Sequence, residues 1–300
     1  MTGYIPTLAQ VDELHHRISP SQAAYGLIHT HCFVIATITR QLVRRQNALF
    51  VRRCTLPDNA PELTGKYDVA AVENEVAASG NDKNTNDGAD GGVSSKGNGA
   101  GVRVTPATLA KRRKDVSAVF AGMGASVPPT DGVKGGMVPP RLLDEDFAVV
   151  GAMLHDIGTY LVLKHDGSDG EKLQFDGPHY ILHGLRGYDW LISQGVDESV
   201  AQFARNHTGV GLTRDQVVAQ HLPLPPADYV PLNLEQEVVM VADKYNSKSI
   251  PPRFLTAEAY ARKARRFGSS NEHQWLDLVR KYGVPDIPEL ARKFGMKLDE

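Results

Sequence analysis

Through both ends of the chain, hydrophobic positions recur at helical spacing. "TLAQVDELHHRI" places Thr7 three residues before Gln10, the arrangement of a capping box, and predicts a short first helix. From about Ser19 and Pro20, "SPSQAAYGLIHTHCFVIATITRQLV" continues as a long helix. Val34, Ile35, Ile38 and Leu42 follow His31 at i+3, i+4, i+7 and i+11, so His31 is expected to face the core with them. His29, about 200° around the helix from His31, must point elsewhere. "RLLDEDFAVVGAMLHDIG" carries Leu142, Leu143, Phe147, Val150, Ala152 and Leu154 at the same period, with Gly158 as the expected terminator. Four more helices are predicted: "YILHGLRGYDWLISQG" ended by Gly195, "DESVAQFARNH" capped by Asp197, "NLEQEVVMVADKYNSK" capped by Asn233, and the amphipathic "TAEAYARKARRFG". A last amphipathic stretch, "EHQWLDLVRKYGV", completes the set. No segment of useful length alternates as a strand would. The expected fold class is all-α, a helical bundle.

Between the helical parts the composition changes. From about residue 57 to 140, and above all in "SGNDKNTNDGADGGVSSKGNGAG", large apolar side chains almost vanish. Such a segment cannot bury enough surface to offset its ordering entropy, so a long disordered insert is expected. Within it "TPATLAKRRKDVSAVF" predicts one short helix with Thr105 as N-cap, its cluster Lys111, Arg112, Arg113 and Lys114 reading as a solvated face. The chain accordingly divides into a first part at 1–56, the insert at 57–140, a main helical domain at 141–250 and a helical extension at 251–300.

Composition narrows the function classes. Of 300 residues, 41% are hydrophobic, enough for a sizeable core, and the formal net charge is −2. No whole-chain field draws the protein to nucleic acid or anionic membrane, so neither is expected as a partner. No run approaches the ~18 apolar residues of a membrane span, and the N-terminal residues lack a secretory pattern; a cytoplasmic location is expected. Cys32 and Cys54 are too few for a disulfide framework and read as reduced, structural residues.

The chemistry gathers at a few polar residues in apolar surroundings. His155 and Asp156 close the run "GAMLHDIG", where burying an unpaired carboxylate would cost several kcal/mol. His31 faces the core of an earlier helix, His183 precedes a glycine in "ILHGLRG", and His207 ends a helix in "ARNHTGVG". Asp243 repeats the puzzle of a carboxylate after an apolar run in "VVMVADK". Helical bundles build metal sites from such inward-projecting side chains on several helices.

This order of His, His-Asp, His, His and Asp resembles the HD superfamily of metal-dependent phosphohydrolases. "MLHDIG" is similar to the motif of its HDIG branch, and "HTGVGLT" to a turn of small prokaryotic HDIG proteins; the resemblance covers nearly all of residues 1–50 and 141–290. It implies that His31, His155, Asp156 and Asp243 hold one metal and that Asp156 bridges to a second completed by His183 and His207. Two divalent ions are implied, Fe or Mn first, with Zn, Co or Ni compatible with the donor set. The implied activity is hydrolysis of a nucleotide or other small phosphoester by hydroxide held between the metals, with Asp156 and His155 catalytic. The same ligand order also resembles di-iron oxygenases, and a non-catalytic nucleotide-binding module is the third reading. Many HDIG hydrolases carry Lys or Arg after the motif, where this chain has Thr159. The phosphate contact is therefore expected from Lys164, Arg205 or Lys244, with Arg186 a weaker candidate. The basic residues after Asp243, including Lys248, Arg253, Lys263 and Arg266, read as a solvated helix face. A homodimer through the C-terminal helices is possible on this reading.

Overall fold

The computed structural model describes residues 3–53 and 128–300. The low-complexity run, the helix expected after Thr105, the Lys111–Lys114 cluster and Cys54 lie outside the described residues.

Helix α1 (Leu8–Ile18) opens with the expected capping box: Thr7 Oγ1 accepts from Gln10 N while Gln10 Oε1 accepts from Thr7 N. Helix α2 (Gln22–Arg52) starts one residue beyond Ser21, whose hydroxyl accepts from Ala24 N. Its stripe Ile28, His31, Ile35, Ile38 and Leu42 is buried and packs along α3 (Glu145–Leu154) and α7 (Leu234–Asp243). Between these come α4 (His183–Ser193), α5 (Glu198–Arg205) and α6 (Arg214–Ala219). α5 presses closely on α3, because a Cβ at Gly151 would fall 2.3–2.5 Å from ring atoms of Phe203. Helices α8 (Ala257–Arg265) and α9 (Ser269–Tyr282) meet through the rings of Tyr245, Tyr260 and Trp275, and α10 (Ile287–Phe294) follows with Phe294 against Phe33 and Phe254.

The expectation of an all-α fold is corrected: the chain is mixed α/β, with two small sheets. β1 (Leu163–His165) pairs antiparallel with β2 (Gln174–Phe175). β3 (Asn246–Ser247) pairs antiparallel with β4 (Arg253–Leu255), which runs parallel to β5 (Lys297–Asp299). Strands of two or three residues are too short to display a period of two, and β4 and β5 meet across a segment that holds α8, α9 and α10, a pairing that no local pattern announces.

Residues 128–140, which composition groups with the insert, lie against α2. Buried Arg45 donates from Nε to Gly135 O (2.7 Å) and from Nη1 to Pro128 O (2.5 Å) and Thr130 Oγ1 (3.2 Å). Asn47 exchanges two hydrogen bonds with the backbone of Leu143. The strap is thus held by polar side chains of α2 satisfying its backbone, with Val133 as its buried apolar contact. Among the described residues no helix is long and apolar enough to cross a membrane.

Candidate metal centre

All six residues singled out as metal ligands converge. Asp156 sits between two groups of donors and turns one carboxylate oxygen to each. Its Oδ2 is 3.1 Å from His31 Nε2 and 3.5 Å from His155 Nε2, while Asp243 Oδ1 lies 3.1 and 3.4 Å from the same two nitrogens. Its Oδ1 is 3.4 Å from His183 Nε2 and 3.3 Å from His207 Nε2. His155 and Asp156 are fully buried where α3 ends and gives way to a 3-10 turn at Ile157–Val162.

The other ring nitrogen of each histidine fixes what its Nε2 can do. His155, His183 and His207 each donate Nδ1–H to the carbonyl three residues earlier, of Ala152 (2.6 Å), Tyr180 (2.6 Å) and Ala204 (2.8 Å). His155 and His207 sit just beyond a helix end, where carbonyls lack helical partners, whereas the Tyr180 carbonyl also accepts the backbone N–H of His183. His31 lies mid-helix and instead donates Nδ1–H to Asn246 Oδ1 (2.8 Å), whose amide is oriented by donation from Nδ2 to Arg253 O. Every Nε2 is then a lone-pair donor facing inward. His183 Nε2 and His207 Nε2 stand 2.9 Å apart, a repulsive meeting of lone pairs unless a cation or proton lies between them. His155 Nε2 is buried with no hydrogen-bond partner among the described residues. Imidazoles with outer hydrogen bonds of this kind, converging on two carboxylates, fit a pair of divalent metal ions.

Electrostatics keep four of the donors in ligating form, whereas for His31 burial and Lys248 push downward but its hydrogen bonds to Asp156 and Asp243 outweigh them and raise it. Burial alone would raise the Asp156 carboxyl, but Lys248 and His155 beside it hold it well below the usual carboxylate range. Asp243 is held low in the same way, by Lys244 and then His155 against the effect of burial. Burial pushes His155 down, and pushes His183 down to about 3, so both stay neutral.

Thr159 is fully buried, and its hydroxyl donates to Asp156 Oδ1 (3.1 Å), so it orients the Asp156 carboxylate. Gly158 serves close packing rather than helix termination: a Cβ there would lie 2.0 Å from His183 O and 2.4 Å from Gly187 N. This approach seats α4, and with it His183, against the turn that carries Asp156.

The expected phosphate-binding cations separate. Lys244 is at the site, donating to His207 O (3.0 Å) and Asp243 Oδ2 (2.7 Å). Arg205 is engaged elsewhere, with Asp228 O, Asn206 Oδ1 and the ring of Tyr229. Lys164 is exposed on β1 and is not part of the cavity wall. Arg186 donates to Leu161 O. Lys248, read from sequence as part of a solvated face, is instead in the cluster: its Nζ contacts Asp156 Oδ2 and lies 3.4 Å from His31 Nε2. Its place follows from β3, which ends at Ser247 and turns the next side chain onto the metal ligands; helical spacing from Asp243 could not have indicated it.

Beside the cluster opens a cavity of about 610 Å³. His183, His207, Asp243, Lys244 and Lys248 form its floor, and Tyr180, Tyr260, Lys263 and Phe267 stand in its wall. A second grouping of His165, Asp169 and Glu171 lies in the β1–β2 hairpin. There Gly167 N donates to His165 Nδ1, leaving Nε2–H to donate to Asp169, so local hydrogen bonds account for it.

No family model matches the chain, and no solved structure matches it. An uncharacterised protein of Methanocaldococcus jannaschii is 34% identical over 101 residues, 34% of this chain and 49% of that protein. Two proteins named tRNA (cytidine(56)-2'-O)-methyltransferase are also similar. That of Picrophilus torridus is 32% identical over 100 residues and that of Thermoplasma volcanium 33% over 100 residues, in each case 33% of this chain and 24% of the relative. The chain thus spans about half the length of the first relative and about a quarter of the other two. These names correct the expected function. The relatives with a named activity methylate a tRNA ribose, which overturns the reading as a phosphohydrolase with its oxygenase and nucleotide-module alternatives. They likewise overturn the expectation of a small phosphoester as partner with nucleic acid excluded.

Proposed function

We propose that this protein acts on tRNA, in the service of ribose methylation, and that it does so with a binuclear metal centre of HD type. The observation that carries the centre is the convergence of four imidazole Nε2 lone pairs on the two oxygens of Asp156 and on Asp243, each imidazole fixed from behind by a hydrogen bond. His31, His155, Asp156 and Asp243 would hold one ion, and Asp156, His183 and His207 the other. When bound, the metals supply concentrated positive charge for phosphate oxygens of the RNA backbone. The chain's own residues do the rest: Thr159 orients the Asp156 carboxylate, Lys244 ties Asp243 to the His207 backbone, and the cavity gives a ligand access to one side of the centre.

RNA as the partner is supported by the names of the two methyltransferase relatives. It is also supported by the wall of the cavity, where Lys263 stands beside Tyr260 and Phe267, the last 66% exposed. Cations for phosphates beside aromatic faces for unstacked bases are the combination that single-stranded RNA segments require. A cytoplasmic location fits this role.

The test has two arms on protein purified without chelator. Elemental analysis should find about two divalent ions per chain, and labelled tRNA should be retained on a filter with an affinity that falls steeply with salt. With methyl donor supplied, tRNA 2'-O-methylation is assayed with and without this protein beside a methyltransferase partner. Absence of metal after Fe or Mn is supplied removes the centre; absence of tRNA retention at low salt removes the RNA reading.

A further inference from the structure

We propose that Lys248 is an internal stand-in for the metal: its ammonium neutralises Asp156 until metal binds, then swings into the cavity and holds a phosphate group of the ligand. The inference rests on the metal centre proposed above. Two carboxylates, Asp156 and Asp243, face two ammonium groups, Lys248 and Lys244. The two lysines are not equivalent. Lys244 is anchored by a backbone carbonyl, His207 O, as well as by Asp243 Oδ2, the oxygen turned away from His31 and His155. Lys248 is held by Asp156 Oδ2 and lies against His31 Nε2, both of which are ligand atoms of the first group.

A metal ion taking those two atoms cannot share them with an ammonium, because like charges in contact in a buried site repel strongly. Lys248 must then release Asp156. Its flexible stem already lines the cavity, 10% exposed, with its Nζ 5.9 Å from the centre of the Tyr180 ring. Lys244 and Lys263 line the same space. Two divalent ions add four positive charges to the cluster, and the freed ammonium carries positive charge into the cavity. An anionic group with several acceptor oxygens, a phosphate, is the chemistry that balances it. Metal binding and phosphate binding are thereby coupled through one side chain.

The experiment compares the wild type with Lys248→Gln, and with Lys248→Met, which keeps the length and apolar character of the stem. Metal affinity is measured by calorimetric titration of chelator-treated protein with Mn, and inorganic phosphate and tRNA binding are measured on the metal-loaded forms. Removing the competing ammonium should raise metal affinity roughly tenfold or more, while phosphate binding weakens by a similar factor, the size expected for one charged hydrogen bond. A lysine that merely supports the fold would leave metal affinity unchanged or weaken it, and that result overturns the proposal.

In the wild type, which needs no variant to fold, acetylation of Lys248 followed by mass spectrometry should speed up several-fold on adding Mn and slow again with phosphate. An unchanged rate overturns it as well. If the wild type binds no metal, the centre and this inference fall together. If it binds metal but the variants and the labelling do not respond, only this inference falls. Weakening of tRNA and inorganic phosphate alike assigns the group to an RNA phosphate; weakening of inorganic phosphate alone assigns it to a free phosphate-bearing molecule.

Discussion

Asn246 holds His31 from behind, and its amide has no freedom to turn, since Nδ2 is committed to Arg253 O and Oδ1 to the imidazole. Hydrogen bonds of this outer kind typically govern 10–100-fold in metal affinity. Asn246→Ala is therefore expected to weaken the first metal by about that factor without unfolding the protein, as read by calorimetric titration beside circular dichroism. His15 shows a different use of burial. It is fully buried, with Nε2 against Met153 O (2.7 Å) and Nδ1 against Tyr160 Oη (3.0 Å), and burial pushes it down to about 4. Between about pH 6.5 and 4 the unfolded chain therefore carries a proton on this side chain that the folded chain does not. Stability from His15 is complete above about 6.5 and is lost as pH falls toward 4, at up to about 1.4 kcal/mol per pH unit for one proton. Denaturant melts in that range should show a shallower loss in His15→Gln than in the wild type; equal slopes would show that His15 does not stay neutral on folding.

Packing of the 3-10 turn at Ile157–Val162 against α4 decides whether the two halves of the centre meet. Gly158 and Gly187 face each other there, and a Cβ at Gly187 would lie 2.9 Å from Gly158 N. The listener to this contact is His183, whose carbonyl is the atom nearest a Cβ at Gly158. Gly158→Ala must push α4 away, at a cost of about 1–3 kcal/mol or more. The expected outcome is a lower melting temperature together with loss of the second metal ahead of the first. A variant that melts early but keeps two ions would show that α4 adjusts without moving His183. The Asp-Ile-Gly triplet is thus a packing unit as much as a ligand motif. Helix ends do further work: His155 and His207 take their Nδ1 acceptors from carbonyls released there.

The donors of the proposed centre come from α2, from the α3 end, from α4, from the α5 end and from α7, so a metal bound there would tie together most of the helices before residue 245. Binding to the folded chain alone stabilises by RT ln(1 + [L]/Kd), about 2.7 kcal/mol at a hundredfold excess. For a domain of this size that is about 5–10 °C in Tm. Chelator treatment should lower the melting temperature by this order, and Mn or Fe should restore it; a melt indifferent to chelator and metal would count against the centre.

The sequence by itself determined the helices and which six buried or half-buried His and Asp residues come together. Caps at Thr7, Asp197 and Asn233 and the stripe following His31 are local, set by hydrogen bonds and periodicity within a few residues. Buried carboxylates after apolar runs also announce themselves, because their cost demands a partner. What only the tertiary structure decided is what lies far apart in the chain and near in space. β5 pairs with β4, the strap 128–140 finds its partners on α2, Asn246 reaches His31, and Lys248 reaches Asp156 from a strand end outside any helical period. Each is a polar or backbone contact between distant segments, specified by geometry that no local pattern encodes. The same reason separates Lys244 from Lys164 and Arg205: all three are cations near a ligand in sequence, and only packing determines which ammonium meets the carboxylates.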